Sequence, residues 1–145
     1  MHHLIAATAC LIFASIAGAG TLQVPIDYPT IGEAIAAAEQ GDTIAIAAGT
    51  YLESDLFIED ADLTISGAVF PDGSPAVKID GQSSQNILLA IGLVGATGAT
   101  VENLIFTGST GNALWIYQHS PTIRNCTFVE NVSEFQGTAV WSSST

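Results

Sequence analysis

Basic residues are almost absent from this chain. Lys78 and Arg124 are its only lysine and arginine, against fourteen aspartates and glutamates, and the net charge is −12 at pH 7. Proteins that bind nucleic acid neutralise its phosphates with many lysines and arginines. With this negative net charge, we do not expect the protein to bind nucleic acid.

Cysteine is nearly as scarce, with Cys10 and Cys126 the only two in 145 residues. Cys10 lies in the apolar first segment, where the run continues past it, and this is the wrong layout for a lipidation cysteine. Removal of that segment would leave Cys126 alone, so no intramolecular disulfide is expected. Cys126 is predicted to act as a small buried hydrophobe.

The first segment, MHHLIAATACLIFASIAGAG, has an apolar run (residues 4–16) followed by Ala17-Gly18-Ala19. This order is typical of a secretory signal peptide, so we predict a signal at residues 1–19, export to the medium or the cell surface, and no membrane contact after cleavage. An uncleaved anchor is the alternative, because the segment has no lysine or arginine before its apolar run.

One amphipathic helix is predicted in YPTIGEAIAAAEQG (residues 28–41). Thr30 and Glu33 have the spacing of a capping box, and Gly41 is expected at the C′ position. The spacing i, i+3, i+4, i+7 places Ile31, Ala34, Ile35 and Ala38 on one apolar stripe. Such a helix must lie on another element, and residues 20–41 are read as an N-terminal strand and a capping helix.

Residues 42–145 contain short apolar runs that repeat. ATVENLIFTG (99–108) matches TIRNCTFVEN (122–131) at an offset of 22 residues, and GNALW (111–115) matches GTAVW (137–141) at an offset of 26. DLTISG (62–67) also matches NLIFTG (103–108), an offset of 41 that suggests two coils. Strands at this period, with no helices between them, predict an all-β parallel β-helix, a solenoid whose coils stack on one another.

The alignment also assigns positions within a coil. Asp62, Asn103 and Asn125 are expected at corners, because Asn and Asp tolerate left-handed backbone. The inward positions are predicted to be Leu63 and Ile65, Leu104 and Phe106, and Cys126 and Phe128. The chain ends directly after a strand, so residues 42–145 are read as an incomplete solenoid, with further coils of the same chain expected beyond it.

The block YPTIGEAIAAAEQGDTIAIAAGTYLE and the motif IRNCTFVEN resemble the pectate-lyase-like right-handed parallel β-helix family, in particular its secreted bacterial repeat members. The resemblance covers residues 22–141. It implies that the helix caps the open end of the solenoid, and it implies a carbohydrate-related role.

The catalytic residues of the enzymes in this family are not found in the sequence. GTYLE (residues 49–53) matches the G-x-Y-x-E turn of pectin methylesterases, but the later esterase motifs QDTL, DFIFG and GRPW are absent. Hydrolases of the family need paired aspartates, and lyases need calcium beside a basic residue. Arg124 has no acid cluster aligned with it and is expected to be solvated, so no catalytic residue and no required cofactor are predicted.

Two sets of residues are candidates for binding. Glu53, Asp55, Glu59 and Asp60 in ESDLFIEDAD are hard oxygen ligands suited to Ca²⁺, although their spacing favours a solvated acidic edge. Trp115, Tyr117 and Trp141 could stack on sugar rings, although an aromatic ladder inside the core explains the same spacing and is favoured. His119 is expected in an exposed turn.

The sequence thus predicts a secreted or cell-surface β-helix module, non-catalytic as it stands, that acts in carbohydrate binding or adhesion through its acidic side, with a polysaccharide or cell-surface glycan as partner. The alternatives are the N-terminal part of a polysaccharide lyase, hydrolase or esterase, and a purely structural spacer. An acidic surface repels polyuronates unless Ca²⁺ bridges them, which favours neutral or calcium-bridged glycans.

Overall fold

The computed structural model describes residues 18–59, 62–84, 86–92, 98–133 and 139–143. The predicted signal peptide lies outside these ranges except for its last two residues, and Asp60 lies outside them too. Within the described ranges no helix is long and apolar enough to span a membrane.

The described residues form thirteen strands and one helix, which follow one another in four coils. Strand β1 and helix α1 come first, and each coil then contributes three strands. In chain order the elements are β1 (Thr21–Val24), α1 (Ile31–Ala37), β2 (Thr43–Ile46), β3 (Gly49–Tyr51), β4 (Leu56–Ile58), β5 (Thr64–Gly67), β6 (Val77–Ser84), β7 (Leu89–Ile91), β8 (Thr100–Glu102), β9 (Leu104–Ser109), β10 (Leu114–Tyr117), β11 (Thr122–Arg124), β12 (Thr127–Val129) and β13 (Val140–Ser143).

Three parallel sheets run along the solenoid. Sheet A has the order β1-β2-β5-β8-β11, sheet B has β3-β6-β9-β12, and sheet C has β4-β7-β10-β13. Every pairing between these strands is parallel, and each strand pairs with the corresponding strand of the next coil. The predicted all-β parallel solenoid is confirmed.

The core lies inside the coils, between the three sheets. Strand residues alternate between the two faces of a sheet, so every second residue points inward. Leu104 and Phe106 of β9 are 0% exposed, and Leu63 and Ile65 are 2% and 1% exposed. Phe128 stacks on Phe106 with ring centroids 5.1 Å apart, which continues the core into the fourth coil.

The predicted offsets of 22 and 26 residues are confirmed as strand register. Phe106 pairs with Phe128 in sheet B, and Trp115 pairs with Trp141 in sheet C. Leu104 and Phe106 are fully buried, whereas Cys126 and Phe128 are only half-buried. The difference arises because Cys126 and Phe128 lie in the last described coil.

The predicted offset of 41 residues is wrong. Ile65 lies in sheet A, where its partner in the next coil is Val101 rather than Phe106. Phe106 lies in sheet B and pairs with Ile79. Residues 62–67 and 103–108 match because both are strands in which every second residue points inward. This alternation identifies a strand, but it does not tell which of the three sheets the strand belongs to. The segment 68–76 between β5 and β6 also lengthens the second coil.

Asparagines form the corner between sheets A and B, as predicted for two of three positions. Asn103 and Asn125 have φ of 60° and 48°, in the left-handed region. The Nδ2 of Asn125 donates a hydrogen bond of 2.8 Å to the Oδ1 of Asn103, so the two corners are also linked. Asp62 is not such a corner; it precedes β5, and its carboxylate accepts a hydrogen bond of 2.9 Å from Gln40.

Helix α1 covers the start of the solenoid and contacts β1, β2 and β4. The Thr30 side chain caps it by accepting a hydrogen bond of 3.1 Å from the Glu33 amide, as predicted. Ile31 and Ala34 of the predicted stripe are fully buried. The helix ends earlier than predicted, because Ala38 already has extended backbone at ψ 145°, so Gly41 is not its C′ residue and lies in the following turn.

Asp42 joins three parts of this end of the molecule. It is 8% exposed, and its carboxylate accepts hydrogen bonds of 2.6 Å from the Gly20 amide and 2.8 Å from the Glu39 amide. These hydrogen bonds lower the pKa of the Asp42 carboxyl. The bond from the Glu39 amide has the largest effect and the bond from the Gly20 amide the next largest, while burial raises the pKa by a smaller amount. The segment before β1, the segment after α1 and strand β2 are thereby held together.

A column of threonines follows the outer face of sheet A, where one threonine per strand lies in register with the next. Thr–Thr pairs on neighbouring strands stabilise a sheet by a few tenths of a kcal/mol to about 1 kcal/mol each. The column is made of Thr21, Thr43, Thr64, Thr100 and Thr122.

Gly67 lies at a close approach to the backbone of the next coil, and its replacement should destabilise the solenoid. A Cβ at Gly67 would lie 2.2 Å from the carbonyl oxygen of Asn103 and 2.9 Å from a methyl of Leu104. We expect Gly67→Ala to lower the free energy of unfolding by about 3 kcal/mol in urea denaturation. The control is Gly32→Ala, where a Cβ meets nothing closer than 3.5 Å and helix propensity favours alanine by up to about 1 kcal/mol. Equal stabilities for the two variants would contradict the close approach.

Candidate functional site

The outer face of sheet C carries a group of aromatic side chains. Leu114 and Ile116 of β10 point into the core, so Trp115 and Tyr117 between and after them point outward. The register places Trp141 beside Trp115. On the other side Ala90 and then Phe57 follow in the same row. We define the aromatic face as Phe57, Trp115, Tyr117 and Trp141.

Three of these rings form an edge-to-face cluster. The Trp115 ring lies 5.4 Å from the Trp141 ring at an interplanar angle of 68°, and 6.4 Å from the Tyr117 ring at 79°. Tyr117 is 36% exposed and Phe57 is 38% exposed, whereas both tryptophans are half-buried. The favoured interpretation of an aromatic ladder inside the core is therefore wrong, because these rings pack on the outer surface of the sheet.

The cluster contains polar atoms without partners. The indole Nε1 of Trp115 and the Oγ of Ser143 are buried and make no hydrogen bond within the described part of the chain. Ser143 is paired in register with Tyr117. A buried donor without an acceptor costs about 1–3 kcal/mol. The packing of the rings must offset that cost, and the indole N–H remains a donor without an acceptor.

A groove adjoins the aromatic face at Phe57. It lies between helix α1 and strand β4 and has a volume of about 420 Å³. Ile35, Ala38 and Leu63 are apolar residues of its lining, and Asp55 and Glu59 are its acidic residues. Phe57 belongs to both the groove and the outward row, so the two features are continuous.

Of the four candidate calcium ligands, the three that lie in the described ranges are not grouped around one point. Both carboxylate oxygens of Glu53 accept hydrogen bonds from the first turn of α1, 2.9 Å from the Ile31 amide and 3.0 Å from the Gly32 amide. The Oδ2 of Asp55 accepts a hydrogen bond of 2.6 Å from Asn86. Glu59 is exposed, and Asp60 lies outside the described residues. Where the chain is described, no three histidine, cysteine or acidic residues are grouped to hold a metal ion.

A polar network on sheet A was missed at the sequence level. Arg124 points outward as expected, but its Nε donates to Glu102, which also accepts a hydrogen bond of 2.7 Å from the Ser66 hydroxyl. The hydrogen bond from Ser66 is the main cause of the lowered pKa of Glu102. Burial opposes it by raising the pKa, and the hydrogen bond and positive charge of Arg124 lower the pKa further. The 22-residue offset, applied to Arg124, would have indicated Glu102.

His119 and Cys126 carry no site. His119 is half-buried rather than exposed, because it packs on Gly92, where an added Cβ would lie 2.0 Å from its ring. Cys126 is half-buried against the core, as its alignment with a core leucine suggested, and burial is the main cause that raises the pKa of its thiol. Both side chains serve packing.

No family model, no curated protein and no solved structure matches this chain. The resemblance to the pectate-lyase-like family therefore stays a prediction. The candidate site depends on geometry alone, namely the aromatic face and the groove that adjoins it.

Removal of the Glu53 carboxylate should loosen the helix from the solenoid. It accepts two amide hydrogen bonds in the first turn of α1, so Glu53→Ala should lower the free energy of unfolding by about 1–2 kcal/mol. Hydrogen exchange at the Ile31 and Gly32 amides, followed by mass spectrometry, reports the effect locally. Glu59→Ala is the control, and comparable exchange in both variants would refute the anchoring role.

The Glu102 network should make stability depend on pH. The folded pKa of Glu102 is lowered, so its contribution is present above the unfolded pKa of about 4.3 and is lost as pH falls through the folded value. Glu102→Gln should therefore reduce the difference in melting temperature between neutral and acidic pH. Glu130→Gln, at an exposed position, is the matched control. An unchanged pH profile for Glu102→Gln would contradict this account.

Proposed function

We propose that this chain is a secreted or cell-surface solenoid module that binds carbohydrate and has no catalytic residues of its own. The observation that carries the proposal is the aromatic face, where Phe57, Trp115, Tyr117 and Trp141 point outward from sheet C. Large aromatic residues on the outside of a strand serve burial poorly, and sugar rings stack on such faces.

The geometry of the face suits an extended ligand. Strands of successive coils lie about 4.8 Å apart, so Phe57, Trp115 and Trp141 occupy the first, third and fourth positions of one row along the solenoid. Ala90 at the second position is buried, so a linear glycan along this axis would meet Trp115 and Trp141 on neighbouring strands and Phe57 beyond Ala90. The unpaired indole N–H of Trp115 is a donor that a sugar oxygen could satisfy after a small shift of the rings.

The charge of the chain bears on the ligand and the compartment. With a net charge of −12, a polyuronate would be repelled from the surface. Export through the predicted signal peptide would bring the module to the medium or the cell surface, where glycans are the accessible polymers.

Intrinsic fluorescence tests the proposal directly, because Trp115 and Trp141 are the only two tryptophans in the chain and both lie on the aromatic face. Titration with neutral hexasaccharides, such as those of cellulose, mannan and chitin, should change the emission with saturation for at least one of them. Trp141→Ala should weaken that binding about three- to tenfold, as measured by calorimetry.

The matched control removes an aromatic side chain elsewhere. Phe70 is 53% exposed in the segment between β5 and β6, away from sheet C, so Phe70→Ala should leave affinity unchanged. Absence of binding to every glycan on a broad array, neutral or charged, would refute the carbohydrate proposal. Equal losses in Trp141→Ala and Phe70→Ala would refute the aromatic face as its site.

A further inference from the structure

The geometry points to a glycan that carries free amino groups, of the glucosamine type, as the ligand of this surface, with its protonated amines held in the groove between α1 and β4. The inference rests on the proposed function, since it names the ligand class of the same surface. It adds a second site element, the groove, which the aromatic face alone does not require.

The groove combines an apolar lining with unpaired negative charge. Its volume of about 420 Å³ has room for a sugar unit, and Ile35, Ala38 and Leu63 supply apolar surface. Asp55 uses only its Oδ2 in hydrogen bonds, with Asn86 at 2.6 Å and Ser54 at 3.4 Å. Within the described part of the chain, the Oδ1 of Asp55 and the whole carboxylate of Glu59 have no donor.

Two other acidic residues near this end of the solenoid use their carboxylates in hydrogen bonds to backbone amides. Glu53 is occupied by the first turn of α1, and Asp42 by the Gly20 and Glu39 amides. Asp55 and Glu59 are the acidic residues of the groove lining, and each keeps at least one carboxylate oxygen without a donor among the described residues. Each can accept charge-assisted hydrogen bonds from an ammonium group, which has three donors and no acceptor.

Phe57 connects the groove to the aromatic face. Its side chain is 38% exposed, lines the groove and stands in the same row as Trp115 and Trp141. An aromatic ring attracts a nearby cation through its face and also stacks on the apolar side of a sugar ring. One chain of amino sugars could therefore place an amine beside Asp55 or Glu59 while its next units lie along the row.

Charge complementarity decides among ligand classes. A uronate would meet Asp55 and Glu59 as like charges, and a neutral glycan would leave the charges of both carboxylates without a counter-charge. The chain as a whole, at −12, also attracts a polycation and speeds the encounter. A basic peptide shares the charge but not the match to an aromatic row, so an amino-sugar chain is the occupant that fits both elements.

The deciding experiment compares a glucosamine hexamer with its fully N-acetylated counterpart on the full chain, by calorimetry at mildly acidic pH and low salt. The amino form should bind more tightly, and Glu59→Gln and Asp55→Asn should each weaken it about two- to fivefold without affecting the acetylated form. Added salt should reduce the preference. Glu130→Gln removes one charge from an exposed site outside the groove and should leave the preference intact.

Each outcome separates this inference from the proposal on which it rests. Equal affinity for the two hexamers, or no effect of Glu59→Gln, would overturn the inference while carbohydrate binding stands. No binding of either hexamer, or of any other glycan, would overturn both. Tighter, Glu59-dependent binding of an oligolysine peptide would reassign the groove to a basic peptide. Circular dichroism of each variant establishes that loss of binding does not reflect loss of folding.

Discussion

The stacking of one coil on the next, with every strand parallel to its partner, is the constraint on which this structure depends. Neighbouring strands lie about 4.8 Å apart, and a coil three strands long cannot bury its own apolar side chains or satisfy its own backbone. Each residue must therefore fit the residue above and below it. Phe106 and Phe128 stack nearly parallel at 8°, and Asn125 donates to Asn103 at the same corner. Close stacking also explains why Gly67 has no space for a methyl group against Asn103.

The same constraint requires that an exposed coil be covered. At the N-terminal end helix α1 lies across β1, β2 and β4, and it is too short, at seven residues, to be stable by itself. Its stability comes from burial of Ile31 and Ala34 and from carboxylates at both of its ends, Glu53 at the first turn and Asp42 just after the last. The chain therefore uses part of its acidic excess as fixed hydrogen-bond acceptors for backbone amides, and only the remainder is free for a ligand.

Much of this fold could be predicted from the sequence, and the errors have a physical cause. Inward apolar positions and left-handed asparagine corners recur because stacking demands them, so the 22- and 26-residue offsets gave the correct register. The offset of 41 failed because all three sheets use the same inward alternation, and a local match of Ile65 with Phe106 cannot tell sheet A from sheet B. The threonine column was missed because its steps have unequal lengths.

The candidate site was harder to predict, since spacing along the chain does not tell which face of a strand a residue occupies. Trp115 and Trp141 were correctly expected as neighbours, but whether they pointed inward depended on the flanking Leu114 and Ile116, which take the inward positions. The groove combines residues from α1 and β4, and Phe57 and Glu59 were not grouped with the tryptophans by any repeat.

The distribution of constraint within a coil explains where a binding surface can arise. Inward positions are fixed by packing and corner positions by backbone conformation, so outward positions are the ones free to vary between sheets. On sheet A they form a threonine column and the network of Ser66, Glu102 and Arg124, in which polar groups satisfy one another. On sheet C they carry aromatic rings, and next to Phe57 lies the exposed carboxylate of Glu59, which has no hydrogen-bond donor among the described residues. An outward surface whose groups lack partners within the molecule is the one whose chemistry points to a ligand, and this is why we propose the binding surface on sheet C rather than on sheet A.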